Sequence, residues 1–177
     1  MSNQVYINST AAYFPNNPVP NGEMEEYLGY INGKPSKSKK IVLRNNAIVN
    51  RYYALDKQGK PTHTNAEMTA HAIRALFDND AGRLKEIELL SCGTSSPDQM
   101  MPSHGVMTHG WLPETGGIEV VSPAGVCCAG MHALKYAYLA IKAGEISTAV
   151  ATGSERFSGL LVADVFEEEA HKLVELN

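Results

Sequence analysis

The stretch "IEVVSPAGVCCAGMHALKYAYLAIKAGEISTAVATGSE", Ile118 to Glu155, constrains the architecture of this chain more than any other. "GGIEVVSP" is a short β-branched run that reads as a strand, and small residues then form an elbow. Cys128 to Ala143 reads as a long helix closed by Gly144 in the C-cap role, and "STAVATGSE" is a strand almost without charge. A strand feeding a helix that feeds a second strand through short connections is the unit of a parallel sheet.

The preceding sequence repeats that alternation. "QVYINSTAAYF", Gln4 to Phe14, is rich in β-branched and aromatic residues and reads as a first strand ended by "PNNPVPNG". Asn21 is placed to cap a short helix over 23–28, and "GYINGKPSKSKK" reads as an exposed basic loop. "IVLRNNAIVNRYYAL" has mixed periodicity, which leaves helix and strand both open near Arg44 to Tyr53. "TNAEMTAHAIRALF" is a clear helix, with Thr64 as its cap and Glu67 three residues on. "IELLSCGTSS" is a buried strand, "SHGVMTHGWL" a short helix, and "VFEEEAHKLVELN" a polar closing helix whose Glu167–Glu169 run is a solvated face. The whole chain, residues 1–177, is expected to form one α/β domain.

Composition narrows the partners. Hydrophobic residues make up 44% and charged residues 19%, a balance that suits a folded, soluble domain. A net charge of -4 gives no general attraction to nucleic acid or to anionic lipid. No apolar window is long enough for a membrane span, and "MSNQVYINST" lacks the features of a signal peptide. Cys92, Cys127 and Cys128 are odd in number, and the adjacent pair is poorly placed for a mutual disulfide, so a reducing, cytoplasmic setting is expected.

Cys128 stands where the elbow meets the helix. Unpaired N–H groups and the positive end of the helix dipole favour an anion at such a position, and Ala129 and Gly130 leave room for a carbonyl to approach. Equally, two cysteines are small apolar residues suited to filling a tight helix–strand junction. Pattern alone leaves these readings level. His132, four residues after Cys128, permits a Cys–His pair, although a histidine hydrogen-bonded elsewhere on its helix is commoner. His104, His109 and Cys92 match no zinc spacing, so no metal is expected. Trp111 reads as core or interface, and Glu155 after "ATGS" as a residue open to a general-base reading.

The segment "VVSPAGVCCAGMHALKYAYLAIKAGEISTAVATGSERFS" resembles the active-site segment of the thiolase superfamily, specifically condensing enzymes of the β-ketoacyl-acyl-carrier-protein synthase III type. There a strand leads through small residues to a nucleophilic cysteine, followed by a small residue, glycine and a bulky apolar residue. A helix ending in Lys-x-Gly and a strand ending in Gly-Ser-Asp/Glu come next, and "CAGM", "KAG" and "ATGSE" keep these features. The likeness extends from about residue 4 to residue 158, taking in "VYINSTAAYFPNNPVPNGEMEEYLG" and "LLSCGTSSPDQMMPSHG".

The resemblance implies a thiolase-like half: a mostly parallel, mixed five-stranded sheet with a buried nucleophile helix and covering helices. It puts Cys128 at the nucleophile and Cys127 at the small residue before it. It puts Arg44 at the arginine that helps hold the coenzyme A nucleotide, with Lys40 in place of the tryptophan that stacks on the adenine. Met101 falls at the bulky residue that reaches across a dimer interface to line the partner's acyl pocket. The implied activity is acylation of Cys128 and decarboxylative condensation with a malonyl-type acyl-carrier thioester. The implied partners are an acyl carrier protein, acyl and malonyl thioesters and a second copy of the chain, with no cofactor. The histidine and asparagine that assist decarboxylation belong to the second half of that fold, so a longer enzyme or a complementing chain is expected to supply them. A non-catalytic partner of a complete ketosynthase and a non-condensing acyltransferase are the alternatives.

Overall fold

In the computed structural model, residues 3–35 and 39–166 are described, and they fall into two compact units. The smaller comprises the described residues within 14–63 and 157–166. It contains β1 (Val19–Pro20), α1 (Met24–Leu28), α2 (Lys39–Asn46) and β2 (Asn50–Arg51), with β1 and β2 antiparallel. Its core is Val19, Tyr53 and Leu55, flanked by Tyr27, Leu28 and Val162. Backbone ends within it are tied by side chains: Asn16 Nδ2 donates to the Tyr53 carbonyl, and Ser158 Oγ accepts from the Ala54 amide. The ambiguous stretch after Ile41 is thus a helix and then a two-residue strand. Asn21 does not cap α1. It opens a 3-10 turn over Asn21–Glu23, and its amide instead donates to the Ile48 carbonyl and receives the Arg51 guanidinium, clamping the following strand.

The larger unit, residues 3–13 and 64–156, is a parallel α/β layer. It contains α3 (Asn65–Leu76), α4 (Ala81–Leu84), β3 (Leu89–Gly93), α5 (His104–Gly110), β4 (Glu119–Val121), α6 (Ala129–Ala143) and β5 (Ala149–Gly153). α3 starts where its sequence dictates: Thr64 accepts from the Glu67 amide and the Glu67 carboxylate returns to the Thr64 amide, a complete capping box. The strands run in the order β4-β3-β5, all parallel.

Every residue of the central strand β3 is buried, because helices cover both faces. Alternate residues divide between two cores. Leu90 and Cys92 point with Val150 toward Ala70 and Ile73 of α3 and Phe77 just after it. Leu89 points the other way, with Ala149, Ala151 and Val121, toward Ala137 and Ala140 of α6. This two-sided burial is why the strand reads as an uninterrupted apolar run rather than an alternating one.

α6 buries one stripe only, Ala129, Ala133, Ala137 and Ala140. The spacing is that of one helix face, and methyl groups there bring the helix axis close to the sheet. At its N-terminal turn the approach is closer still. A Cβ on Gly93 would lie 2.2 Å from the Ala129 carbonyl oxygen, and one on Gly130 only 3.2 Å from the Gly153 Cα. No side chain fits between the first turn of α6 and the ends of β3 and β5.

Several expectations are corrected. Among the described residues the main sheet has three strands, not five. Gln4–Phe14 forms no strand: Tyr6 and Ile7 are exposed, and β-rich composition establishes only that a segment suits pairing, which needs an available strand edge in register. The helix after Cys128, expected to be buried, is buried along one face only, since Met131, Leu134, Tyr138 and Leu139 are exposed. Trp111, at 45% exposure, is not core. Of the expected closing helix only Val165 and Phe166 are described, and both are helical. Glu167–Glu169 and His171 lie outside the described residues. No helix among the described residues is long and apolar enough to cross a membrane.

The Gly93 contact predicts a large local cost. Gly93→Ala should lower the unfolding free energy by about 1–3 kcal/mol in a denaturant titration, the usual penalty of overpacking. Gly117→Ala, where an added Cβ meets nothing within 4 Å, should leave the midpoint unchanged.

Candidate active site

β4 ends at Val121, and residues 122–125 turn the chain into a 3-10 turn over Val126–Cys128 that runs directly into α6. Each part of this elbow is held. Ser122 Oγ accepts from the Gly105 amide (2.8 Å) and donates to Ser103 Oγ (2.9 Å), tying it to the start of α5. The Pro123 carbonyl accepts from the Thr94 amide (3.3 Å), and the Ala124 carbonyl from His132 Nδ1 (3.1 Å). The Cys128 amide donates to the Gly125 carbonyl (3.0 Å). The Val126 carbonyl accepts from the Ala129 amide and from the Ser95 hydroxyl.

Cys128 is the N-cap residue of a fifteen-residue helix, and its side chain makes no capping bond there. Both Cys127 and Cys128 are exposed, so neither fills a buried junction. His132 is committed to the elbow carbonyl rather than to the Cys128 thiol. Cys92 behaves oppositely: it is wholly buried, and burial pushes its thiol up to about 11, against weaker opposing contacts from Thr152 and Thr108.

The other sequence candidates are separately placed. Met101 lies on the loop between β3 and α5 with its side chain 85% exposed. Arg44 is exposed in the last turn of α2, in the smaller unit, one helical turn after Lys40. Lys40 borders a cleft of about 390 Å³ with Tyr30, Leu43 and the ion pair of Lys39 and Glu25. His104, His109 and Cys92 do not converge: His109 Nε2 donates to the Gly116 carbonyl, and His104 turns into a different cluster. Among the described residues no group of three or more His, Cys, Asp or Glu is placed to hold a metal.

That different cluster was not apparent in the sequence. His104 is buried with Nε2 3.1 Å from Ser154 Oγ and 3.3 Å from Thr69 Oγ1. Thr69 Oγ1 lies 2.7 Å from Ser154 Oγ, and Asn65 Nδ2 donates to Thr94 Oγ1 and to the Ser96 carbonyl. The Asp98 carboxylate receives the amides of Asn65 and Ala66 at the start of α3, where a negative charge is favoured. Glu155 accepts from the Ser95 amide (2.7 Å) and the Ser96 hydroxyl (2.6 Å). The loop after β3 is thereby laced to the loop after β5 through the acidic residue of "ATGSE", the structural part that the family resemblance implies there. Short polar residues in "GTSSPD" were the available signal, but nothing in their order discloses which partner each finds.

Burial holds the His104 imidazole below its usual range, outweighing the opposing pull of Asp98 and Glu155. The unfolded chain therefore binds a proton near pH 6.5 that the folded chain resists, and stability must fall as pH drops below that value. Urea midpoints should decrease from pH 7 to pH 5, with a shallower slope in His104→Gln. A thiol titration at pH 8 should find Cys127 and Cys128 reactive in the native protein, and Cys92 only after denaturant is added.

No known family profile matches the chain. It is 26% identical over 155 residues to the β-ketoacyl-[acyl-carrier-protein] synthase III of Neisseria meningitidis, covering 88% of this chain and 45% of the relative. It is 28% identical over 149 residues to the same enzyme of a Jannaschia species, covering 84% and 42%. In fold it is similar to a tetronic acid condensing enzyme, with a TM-score of 0.72, 22% identity, and coverage of 85% of this chain and 45% of that one. It is also similar to the 3-oxoacyl-[acyl-carrier-protein] synthase III of Aquifex aeolicus, with a TM-score of 0.67, 20% identity, and coverage of 85% and 44%. The chain thus spans a little under half the length of the proteins it matches. By sequence and by fold, the chain is similar to roughly the N-terminal half of condensing enzymes of the β-ketoacyl-[acyl-carrier-protein] synthase III type.

Proposed function

We propose that the chain is the nucleophile-bearing part of an acyltransferase of the β-ketoacyl synthase III type, with Cys128 as the residue acylated. The observation that carries this reading is the exposed Cys128 at the head of a long helix whose first turn is pressed onto β3 and β5. The Cys128 sulfur attacks the carbonyl of an acyl thioester, the tetrahedral oxyanion collapses, and the donor leaves as a thiol carrying the proton. The positive end of the α6 dipole favours the negative charge of that oxyanion. A malonyl-type thioester on an acyl carrier protein then loses carbon dioxide, and its enolate carbon attacks the acyl group and releases the Cys128 sulfur. Residues supplied by the rest of such an enzyme stabilise that enolate.

Two further residues enter this reading. Arg44, one helical turn after Lys40 on α2, carries the charge that would suit the anionic end of an acyl donor. Met101, exposed on its loop, suits contact with a second copy of the chain and its acyl pocket. Thioester substrates, an acyl carrier protein and a homodimer are the partners that follow.

Incubation of the full-length protein with a radiolabelled acyl thioester should label Cys128. The label should persist in Cys127→Ala and vanish in Cys128→Ala, and persistence in Cys128→Ala would refute the assignment. Carbon dioxide release from malonyl carrier separates condensation from transfer to another acceptor. Arg44→Ala should raise the half-saturating donor concentration about tenfold without lowering the limiting rate, as expected for a charge-assisted contact made equally in the ground and transition states.

A further inference from the structure

Val126, two residues before Cys128, has φ of 50° although it is β-branched. A β-branched residue avoids this left-handed region, so the conformation persists only where its surroundings enforce it. Its side chain is 73% exposed and contributes little to that enforcement. The carbonyl is what is held. It accepts the Ala129 amide inside the turn and the Ser95 hydroxyl from across the sheet. Ser95 is in turn anchored by its own amide on the Glu155 carboxylate (2.7 Å), and the other carboxylate oxygen holds the Ser96 hydroxyl (2.6 Å). The Ser96 hydroxyl also receives the Arg156 amide (2.9 Å), which closes the loop after β3 onto the loop after β5.

We propose that Ser95 and Glu155 are positioning residues for Cys128: the Glu155 carboxylate fixes the Ser95 backbone, and the Ser95 hydroxyl locks Val126 in its left-handed conformation. That lock aims the 3-10 turn and sets the Cys128 sulfur relative to the first turn of α6. The inference rests on the reading of Cys128 as the acylated residue, and it adds a reason for the small polar residues of "GTSS" and for the glutamate of "ATGSE". Glu155 acts here through backbone geometry and takes no proton from substrate.

The test measures the rate of Cys128 acylation by a radiolabelled acyl thioester in the full-length protein, with its Cys127→Ala variant as the parent. Ser95→Ala should slow acylation about fivefold, the effect of one lost hydrogen bond, while Ser95→Thr, which keeps the hydroxyl, should restore it. In a Val126→Gly background, where positive φ carries no steric cost, the loss on Ser95→Ala should shrink. Glu155→Gln should slow acylation and add little to Ser95→Ala in the double variant. Iodoacetamide alkylation of Cys128 and the thermal midpoint, followed in parallel, should change little. Equal acylation rates in Ser95→Ala and parent overturn the positioning role. So does an undiminished Ser95→Ala effect in the Val126→Gly background, or a rate loss matched by loss of folded protein. Absence of acylation in the parent overturns the reading of Cys128 itself, an outcome distinct from equal rates among active variants.

Discussion

The rest of the larger unit depends on the contact between the first turn of α6 and the ends of β3 and β5. Gly93 lets the Ala129 carbonyl approach where any Cβ would collide, and Gly130 meets Gly153 almost backbone to backbone. Interiors are packed too tightly for such an approach to be relaxed elsewhere at little cost. The alanine stripe of α6 continues the same close fit along the helix, so its axis is settled by a row of small residues rather than by one large anchor. Cys128 sits at the end of this rigid seam, and its location follows from the seam more than from its own contacts.

The two faces of the sheet are built with different materials. On the α3 side large side chains interlock, with Ile73, Phe77, Leu84, Leu90 and Leu112 forming one apolar cluster. On the α6 side the contacts are mainly methyl groups against Leu89 and its neighbours. Where the strands end, apolar packing gives way to hydroxyls, amides and carboxylates that join the loops after β3 and β5. Within a buried region each such bond prevents an expensive unpaired group, so the network specifies loop geometry as well as stability. The elbow before Cys128 lies against this polar end of the sheet.

Long, strongly patterned elements were legible in the residues. The Thr64–Glu67 capping box, the Gly144 stop of α6 and the apolar run of β3 all lie where local chemistry puts them. Pairing was not legible. Gln4–Phe14 has the composition of a strand and forms none, because pairing is decided by the edges and register available elsewhere in the fold. Asn21 has the composition of a cap and instead clamps Ile48 and Arg51, since a side-chain amide serves whichever backbone group is brought nearest. In the candidate site, the position of Cys128 at a helix head could be read in advance. Its exposure, the diversion of His132 to the Ala124 carbonyl, and the tie from Ser95 to Val126 could not.

Local pattern alone dictates that the chain alternates strands and helices, that a cysteine stands at the mouth of a long helix, and that small residues surround that cysteine. These are properties of neighbours in the chain, governed by periodicity, capping and steric size. Which face of α6 is buried, which strands pair, and how residues far apart in sequence, Ser95, Val126 and Glu155, converge on one elbow are settled in three dimensions. Such convergence depends on contacts across the sheet, whose energy comes from desolvation and packing between segments that local pattern does not relate.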